Sequence, residues 1–249
     1  MADAAELVAG ETVLEIGPGT GMLTREFLKR GARVIAVEAD RRAIAILEKS
    51  FSDEVATGNL VLHHGDIREI TPADIGLHDH TYKLIANIPY YLSGILFRTF
   101  LESSCQPSNL VFLVQKEVAA RITCRGRQAR DKKESLLSLS VKVYGEPTYV
   151  KTVSRGNFNP QPKVDSAIIA ISNISRNNFA RITEENFFTI LHLGFAAKRK
   201  QLIGNLSKSY ERTHLMHIFS MLSILENARG EDLPLEIWLR LVERLTVPA

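Results

Sequence analysis

Residues 12–21 read Thr-Val-Leu-Glu-Ile-Gly-Pro-Gly-Thr-Gly, an apolar run followed by a glycine-rich turn, and a helical pattern continues from Met22 to Arg30. A strand, a glycine-rich turn and a helix bring backbone N–H groups and a close backbone approach to a ligand. The dinucleotide fingerprint Gly-x-Gly-x-x-Gly requires a third glycine at position 22, where this chain has Met22. The stretch therefore predicts a cofactor site and disfavours nicotinamide and flavin.

Acidic residues follow the next two predicted strands. The second predicted strand, residues 33–37, is followed by Glu38, about twenty residues past the first glycine. At that position an acidic side chain can bind both hydroxyls of a ribose. Residues 60–64 lead to Asp66, which can accept a hydrogen bond from an adenine amino group, with Ile67 beside the ring. Either acid alone is more typical of a solvated strand end. Their order after the glycine turn indicates one cofactor site.

A fourth predicted strand, residues 82–87, runs into Asn-Ile-Pro-Tyr at positions 87–90. The Asn87 side-chain carbonyl and the backbone carbonyl beside Pro89 can both accept hydrogen bonds from one exocyclic NH2 group. Those bonds draw the nitrogen lone pair away from the ring, so that the amine can attack an electrophilic methyl group. Tyr90 offers a flat face for an extruded base, and the proline fixes the local φ. Alone, the pattern is more typical of a strand entering a proline turn with core tyrosines.

These motifs resemble those of the S-adenosylmethionine-dependent rRNA adenine N6-dimethyltransferases, and the chain is most similar to their small-subunit group, KsgA (RsmA). The resemblance continues through residues 113–118 (Leu-Val-Gln-Lys-Glu-Val), 157–166 (Asn-Phe-Asn-Pro-Gln-Pro-Lys-Val-Asp-Ser) and 195–202 (Phe-Ala-Ala-Lys-Arg-Lys-Gln-Leu). It therefore covers nearly the whole chain.

The resemblance implies a role for each matching residue and S-adenosyl-L-methionine as cofactor. Gly17 and Gly19 would approach its methionine part, Glu38 its ribose and Asp66 its adenine. In the target-base site, Phe158 would stack on the face of the adenine opposite Tyr90. The implied cofactor-binding set is Glu15, Gly17, Gly19, Glu38, Asp66, Ile67 and Asn87, and the implied catalytic set is Asn87, Pro89, Tyr90 and Phe158.

The resemblance also implies the reaction and the fold. The expected reaction is methylation of N6 on two adjacent adenines in the 3′-terminal hairpin of small-subunit rRNA, within an immature 30S particle. The expected fold is α/β, a Rossmann-like class I methyltransferase sheet of seven strands, one antiparallel, with helices on both faces and a small C-terminal helical domain. A monomer in the cytoplasm is expected.

The chain departs from the family at its start. Family members normally begin with a segment containing Gln-x-Phe-Leu that covers the cofactor and touches RNA, whereas this chain starts at Met1, just before the first strand. We expect either a truncated sequence or a cofactor covered in a different way.

The two halves of the chain carry opposite charge although the overall net charge is only +3. Residues 1–115 have a net charge of −5 and residues 116–249 a net charge of +8. A basic half indicates a polyanionic partner, although any single charged run is usually a solvated face. Two clusters are candidate RNA contacts, one read as an exposed loop and one placed on a helical pattern: Arg121, Arg125, Arg127, Arg130, Lys132 and Lys133, and then Lys198, Arg199 and Lys200.

Composition narrows the class of protein. The 249 residues suffice for one large domain or two unequal ones, and no apolar run approaches a membrane span. Cys105 and Cys124 have no metal spacing, and the scattered histidines show no third ligand, so no metal site is expected. A reduced compartment without a disulfide is the default.

The periodicities predict the order of elements. Strands are expected near residues 12–16, 33–38, 60–63, 82–87 and 110–114, with helices near 21–30, 40–50, 93–103 and 117–122. This alternation favours a parallel sheet. Residues 136–144 are ambiguous, and residues 164–171 predict a final strand. After a polar linker near 172–180, helices are expected over 184–195, 198–210, 214–227 and 235–245, beginning at Thr183. The expected domains are 1–175 and 176–249.

Other functions stay open from sequence alone. A large-subunit adenine methyltransferase of the macrolide-resistance type shares the cofactor and Asn-x-Pro-Tyr motifs, but the run at 198–202 fits the small-subunit group better. A non-catalytic ribosome assembly factor on the same fold is the alternative from another class. DNA adenine methylation is disfavoured because the RNA-side motifs match far downstream.

Overall fold

The computed structural model describes residues 1–124 and 133–246. Its centre is a seven-stranded sheet in the order β3-β2-β1-β4-β5-β7-β6. Strands β1 to β5 are parallel, and β7 runs antiparallel to both neighbours, β5 and β6. The strands are β1 (Thr12–Ile16), β2 (Arg33–Glu38), β3 (Leu60–His64), β4 (Tyr82–Asn87), β5 (Asn109–Gln115), β6 (Glu146–Val153) and β7 (Ser166–Ser172). The seven-stranded sheet with one antiparallel strand is confirmed.

The central strands are apolar because both faces of the sheet are covered by helices. Val13, Ala36, Ile85 and Val111 belong to one buried cluster in this layer. The α-helices in the described residues are α1 (Met22–Lys29), α2 (Arg41–Ser50), α3 (Ser52–Ala56), α4 (Ser93–Leu101), α5 (Lys116–Ile122), α6 (Leu136–Lys142), α7 (Glu184–Phe195), α8 (Leu202–Leu206), α9 (Arg212–Met221) and α10 (Leu235–Thr246).

Helix starts follow local capping chemistry. The Asp40 side chain accepts the Arg42 amide at 2.8 Å, which begins α2. The Thr183 hydroxyl accepts the Asn186 amide at 3.1 Å, with two acidic residues in the first turn of α7. The helix start predicted at Thr183 is confirmed. The ambiguous stretch 136–144 is a helix, α6.

Strand β6 and helix α3 were not predicted. Strand β6 lies at the edge of the sheet, contains Pro147 and is mostly exposed, so it lacks the apolar run that marks the buried strands. Helix α3 has five residues and buries none of them, which leaves no amphipathic pattern to detect.

The helix predicted over residues 198–210 is wrong at both ends, because α8 comprises only Leu202–Leu206. Lys198, Arg199 and Lys200 lie in an exposed turn between α7 and α8, not on a helix. The Lys200 amide donates to the Ala197 carbonyl at 2.9 Å, which closes that turn, and Gln201 is extended (ψ 150°) before α8 begins. The next helix also ends early, at Met221 rather than near residue 227, because Ser223 adopts a left-handed conformation (φ 55°).

Two compact units can be separated by their internal contacts. The first comprises Met1–Ala119 and Gly145–Ile174 and contains the entire sheet; the second comprises Ala120–Tyr144 and Ser175–Ala249 and is helical. The contacts therefore group residues 120–144 with the helical unit. The division into two domains near residue 175 stays a prediction. Among the described residues, no helix has the length and apolar character needed to cross a bilayer.

Candidate active site at the carboxyl edge of the sheet

The carboxyl ends of the parallel strands bring the predicted site residues to one edge of the first unit. Gly17 follows β1, Glu38 ends β2, Asp66 follows β3, and Asn87 ends β4. The sheet order places β1 between β2 and β4. With about 4.8 Å between neighbouring strands, Glu38 and Asn87 flank the glycine turn at roughly 10 Å from each other. Ligands of open parallel sheets bind at this edge.

The glycine turn offers room for a ligand. Gly17 and Gly19 have φ values of +64° and +57°, which L side chains rarely adopt. A Cβ atom built on either glycine meets no described atom within 4 Å. The Gly17 amide donates to the Val37 carbonyl at 2.9 Å, so the turn is held against β2. The turn is fixed in place and leaves open space beside its backbone.

Glu15 is the buried acid of the site, with 1% of its surface exposed. The Thr24 hydroxyl, on α1, donates to the Glu15 carboxylate at 2.6 Å. Burial raises the pKa of Glu15 to about 7, while the Thr24 hydrogen bond opposes the rise and the nearby Glu38 charge adds to it. This position lets Glu15 join β1 to α1 beneath the glycine turn, and direct contact with the cofactor stays a prediction.

The Glu38 carboxylate is oriented by two backbone amides. The Gly19 amide donates to one oxygen at 3.1 Å and the Asp40 amide donates to the other at 2.9 Å. Each carboxylate oxygen keeps a further lone pair that can accept a hydroxyl hydrogen. Glu38 therefore connects the glycine turn to β2 and presents two acceptors at the edge, as a ribose diol requires.

Asp66 forms an ion pair with Arg68. The Arg68 guanidinium contacts the carboxylate at 2.5 and 3.0 Å, and the Arg68 amide donates to it at 2.9 Å. The guanidinium hydrogen bonds lower the pKa of Asp66 to about 2. Ile67 between them is buried. An ionised Asp66 held in this way is an acceptor for an amino group, although Arg68 already occupies part of its capacity.

Asn87 is exposed at the end of β4. Its side chain has no hydrogen-bond partner among residues 1–124 and 133–246. The Pro89 carbonyl already accepts the Leu92 amide at 2.9 Å. The carbonyl of Ile88, on the other side of the proline nitrogen, is therefore the better candidate for the second acceptor beside Asn87.

Tyr90 is anchored at both ends. Its hydroxyl is hydrogen-bonded to the Ser166 hydroxyl at 2.8 Å, and its carbonyl accepts the Ser93 hydroxyl at 2.8 Å. Ser166 is the first residue of β7, opposite Gln115 of β5. Phe158 lies in the segment between β6 and β7 and packs partly buried against the core of this unit. Tyr90 is thus held by the first residue of β7, and Phe158 by the core of the same unit.

The basic residues predicted to bind RNA lie in the helical unit where the structure describes them. Arg121 is exposed on α5, and Lys198, Arg199 and Lys200 are exposed in the turn after α7. Lys133 is engaged in ion pairs with Glu231 at 2.6 Å and Asp232 at 3.5 Å. Four further predicted contacts lie outside the described residues: Arg125, Arg127, Arg130 and Lys132.

Sequence reasoning missed three supporting residues of the site. Ser166 and Ser93 anchor Tyr90, and Thr24 anchors Glu15. Thr24 faces β1 one turn into α1, so helix periodicity could have located it as a buried polar residue. Ser166 had no such signal, because its role depends on the pairing of β7 with β5 rather than on local sequence.

Nearly the whole sequence matches a known family. The family model described as ribosomal RNA adenine dimethylase matches residues 1–247. A ribosomal RNA small subunit methyltransferase A from Dehalococcoides mccartyi (strain CBDB1) is 38% identical over 240 residues, which are 96% of this chain and 80% of the relative. One of the same name from Nostoc punctiforme is 35% identical over 247 residues, covering 96% of this chain and 84% of the relative.

Two solved structures share the architecture over nearly the full length. A dimethyladenosine transferase from Plasmodium falciparum superposes with a TM-score of 0.78 at 26% identity, covering 96% of this chain and 91% of that one. The 23S rRNA methyltransferase ErmE superposes with a TM-score of 0.76 at 27% identity, covering 98% and 94%. The similarity includes the helical region as well as the sheet.

Proposed function

The chain belongs to the ribosomal RNA adenine dimethylase family, and we propose that it methylates N6 of two adjacent adenines in the 3′-terminal hairpin of small-subunit rRNA. It is an rRNA adenine dimethyltransferase, and its named relatives act on the small subunit. We further propose that the two adenines are adjacent, that they lie in this hairpin, and that the substrate is an immature 30S particle. The enzyme is proposed to be monomeric and cytoplasmic. The observation that carries it is Asn87-Ile88-Pro89-Tyr90 beside the glycine turn of β1.

The residues present fit S-adenosylmethionine. The open space at the Gly17 and Gly19 Cβ positions suits a ligand close to the backbone, and Glu38 presents two oriented carboxylate oxygens for a ribose. Asp66 would accept from the adenine amino group and Ile67 would lie beside that ring. When bound, this cofactor supplies a methyl group activated by a sulfonium, which needs no nucleophilic side chain.

The acceptor residues orient the target amine. Asn87 Oδ1 and the Ile88 carbonyl would accept the two N–H groups of the adenine N6, which turns the nitrogen lone pair toward the glycine turn. A monomethylated amine keeps one N–H, which one of the two acceptors can still accept, so the amine can be held for a second methyl transfer. Dimethylation therefore requires no further residues.

The aromatic residues hold the extruded base. The Tyr90 side chain is fixed by Ser166 and its backbone by Ser93, so little side-chain freedom remains to be lost when a base stacks on it. Stacking contributes roughly 1–3 kcal/mol per base, which offsets much of the cost of extrusion. Phe158 would cover the opposite face.

The exposed turn of Lys198, Arg199 and Lys200 is proposed to contact RNA phosphates. Replacing all three by glutamine removes three positive charges without altering a helix. If each contacts one phosphate, the slope of log K against log salt falls by about 2. RNA binding titrated at several salt concentrations measures this slope, with the exposed Lys29, Lys49 and Lys151 replaced together as a control of equal charge. An unchanged slope would remove this turn from the interface.

The proposed function is tested by supplying the enzyme with undermodified 30S particles and, separately, protein-free large-subunit rRNA. We expect N6,N6-dimethyladenosine, identified by mass spectrometry, at two adjacent positions of the 30S rRNA. Dimethyladenosine only in large-subunit rRNA would contradict the proposal and would indicate the macrolide-resistance type of activity instead. Binding to 30S without methyl transfer would indicate an assembly factor.

A further inference from the structure

A second cavity, of about 390 Å³, lies beside the acceptor site in the first unit. Its volume falls within the range of small-molecule sites, roughly 300–1,000 Å³. It lies where β5 ends and β7 begins, and its polar lining consists of an amide, three cations and two acids: Gln115, Lys116, Arg155, Lys163, Glu117 and Asp165. The residues assigned to the cofactor and to the target base do not include any of these six.

The cavity begins next to the anchor of Tyr90. Gln115 pairs with Ser166 across β5 and β7, and Ser166 holds the Tyr90 hydroxyl at 2.8 Å. Gln115 is also one strand away from Asn87, since β4 and β5 are neighbours, and lies two residues beyond Leu113, the residue paired with Asn87. By strand geometry, the Cα atoms of Gln115 and Asn87 are about 8 Å apart. A nucleotide joined to the target adenine would reach this cavity.

The rim of the cavity is held in shape by hydrogen bonds. The Arg155 amide donates to the Asp165 carboxylate at 3.1 Å, and the Arg155 guanidinium donates to the Lys163 carbonyl at 3.3 Å. On the other side, the Lys116 amide donates to the Asp165 carbonyl at 3.0 Å. These contacts connect the β7 start to α5 and leave the side chains of Lys116 and Lys163 exposed.

The lining of the cavity contains groups that suit two different parts of a nucleotide, its phosphate and its base. Exposed ammonium groups bind phosphate oxygens, whereas a glutamine amide can pair with N6 and N7 of adenine. The neighbouring Glu117 carboxylate favours a base edge that donates an amino group over one that presents a carbonyl oxygen, as guanine O6 does. On the N6/N7 edge, the combination therefore favours adenine over guanine, which presents O6 there.

We propose that this cavity binds the nucleotide adjacent to the target adenine and that Gln115 selects adenine at that position. Lys116 and Lys163 bind the phosphate on its backbone, and Gln115 with Glu117 reads the N6 edge of its base. The inference rests on the proposed function, because it requires an RNA adenine in the Asn87 site. It applies to the first adenine of the pair to be methylated, because its unmethylated neighbour still has an amino group to donate, whereas an N6,N6-dimethylated neighbour has none.

The test uses the full chain and undermodified 30S particles in which either adenine of the adjacent pair in the hairpin is replaced by guanosine. For the wild-type protein, we expect kcat/KM for methylation of the remaining adenine to fall about tenfold on at least one of the two substituted particles. In Gln115→Leu, the ratio between unsubstituted and substituted particles falls to about one, and thermal unfolding verifies the fold. Gln115→Ser is measured alongside in case leucine disturbs the strand end.

A charge variant separates phosphate binding from base selection. Lys163→Gln should raise KM for every particle by the same factor, about threefold to tenfold, and leave the adenine preference and kcat unchanged. Lys29→Gln serves as the matched control and should leave KM unchanged, because Lys29 lies near the amino ends of the strands, away from the site.

The outcomes distinguish the two proposals. Normal methylation of all particles by the wild-type protein without adenine preference would overturn this inference and leave the proposed function standing. A preference that survives in both Gln115 variants would also overturn it. No methylation of any 30S particle would overturn the proposed function, and the inference with it.

Discussion

The two sides of the site edge differ in how their polar groups are held. On the cofactor side, Glu38 accepts two backbone amides and Asp66 is paired with Arg68, so each acid is fixed by residues close to it in sequence or on the next strand. On the acceptor side, Asn87 is exposed and the cations at the end of β5 face solvent. One support of the acceptor side, the hydrogen bond between Ser166 and Tyr90, joins residues that are 76 positions apart in the sequence.

This difference corresponds to the ligands that each side is proposed to bind. A small cofactor that is the same in every turnover suits preformed acceptors, since little rearrangement is needed on binding. A base extruded from RNA arrives with its neighbours attached, and an open side with exposed cations accommodates them. Variants on the cofactor side should therefore change mainly the Kd for the cofactor, whereas variants on the acceptor side should change mainly KM for RNA or kcat.

Filling the glycine turn should give a large loss on the cofactor side. Gly19→Val places a branched side chain in the open space beside the turn, and we expect about 2–3 kcal/mol of lost cofactor binding, roughly 30- to 150-fold in Kd. Titration calorimetry with S-adenosylmethionine measures it.

Gly58→Val is the matched control for Gly19→Val. Gly58 also has a positive φ, +75°, and open space at its Cβ, but it precedes β3 at the opposite edge. Both variants should lose stability from backbone strain, and only Gly19→Val should lose affinity. Equal affinities would remove the glycine turn from the cofactor site.

Removing the stacking platform should give a smaller loss on the acceptor side. Tyr90→Ala should raise KM for RNA about tenfold, because one base loses its stacking partner, while cofactor affinity is unchanged. Tyr90→Phe keeps the ring and loses only the Ser166 hydrogen bond, so a change of about threefold is expected. Steady-state methyl transfer gives both values. Tyr91→Ala is the control, because Tyr91 is 78% exposed, and an equal effect there would contradict the assignment of Tyr90.

The buried acid beneath the glycine turn should make stability depend on pH. Because burial raises the pKa of Glu15 from 4.5 to about 7, the folded protein binds this proton more tightly than the unfolded chain. The resulting stabilisation is complete below pH 4.5 and is lost as the pH rises through about 7. As the pH rises from 5 to 8, the free energy of unfolding in urea should fall less for Glu15→Gln than for the wild type. The exposed Glu48→Gln should follow the wild type, and identical behaviour of all three proteins would refute this role.

The cofactor side could be predicted from sequence because it repeats a local unit. Each of β1, β2 and β3 is an apolar run followed within two residues by a glycine or an acid, and parallel strands bring those ends together. The same logic located Asn87 and Pro89 after β4. The family resemblance supplied the roles, which stay predictions for the individual residues.

The acceptor side was harder to predict from sequence because the residues that support it are distant from one another in the chain. Strand β6 was missed since its exposed edge position leaves no apolar pattern, and the β5–β7 pairing that places Ser166 beside Gln115 cannot be read from either strand alone. The basic residues at 198–200 were assigned to a helix because their neighbours have helical spacing, whereas three consecutive cations close a turn instead.

The central claim is that one sheet edge contains two separable halves, and crossed measurements on Asn87→Ala and Glu38→Ala test it most directly. With kcat for methyl transfer and Kd for S-adenosylmethionine measured on both, Asn87→Ala should lower kcat about 100-fold or more and change Kd by less than about threefold. Glu38→Ala should weaken Kd about 10- to 100-fold and lower kcat at saturating cofactor by less than about tenfold. Wild-type kcat in Asn87→Ala, or a loss in the same constant for both variants, would contradict the account.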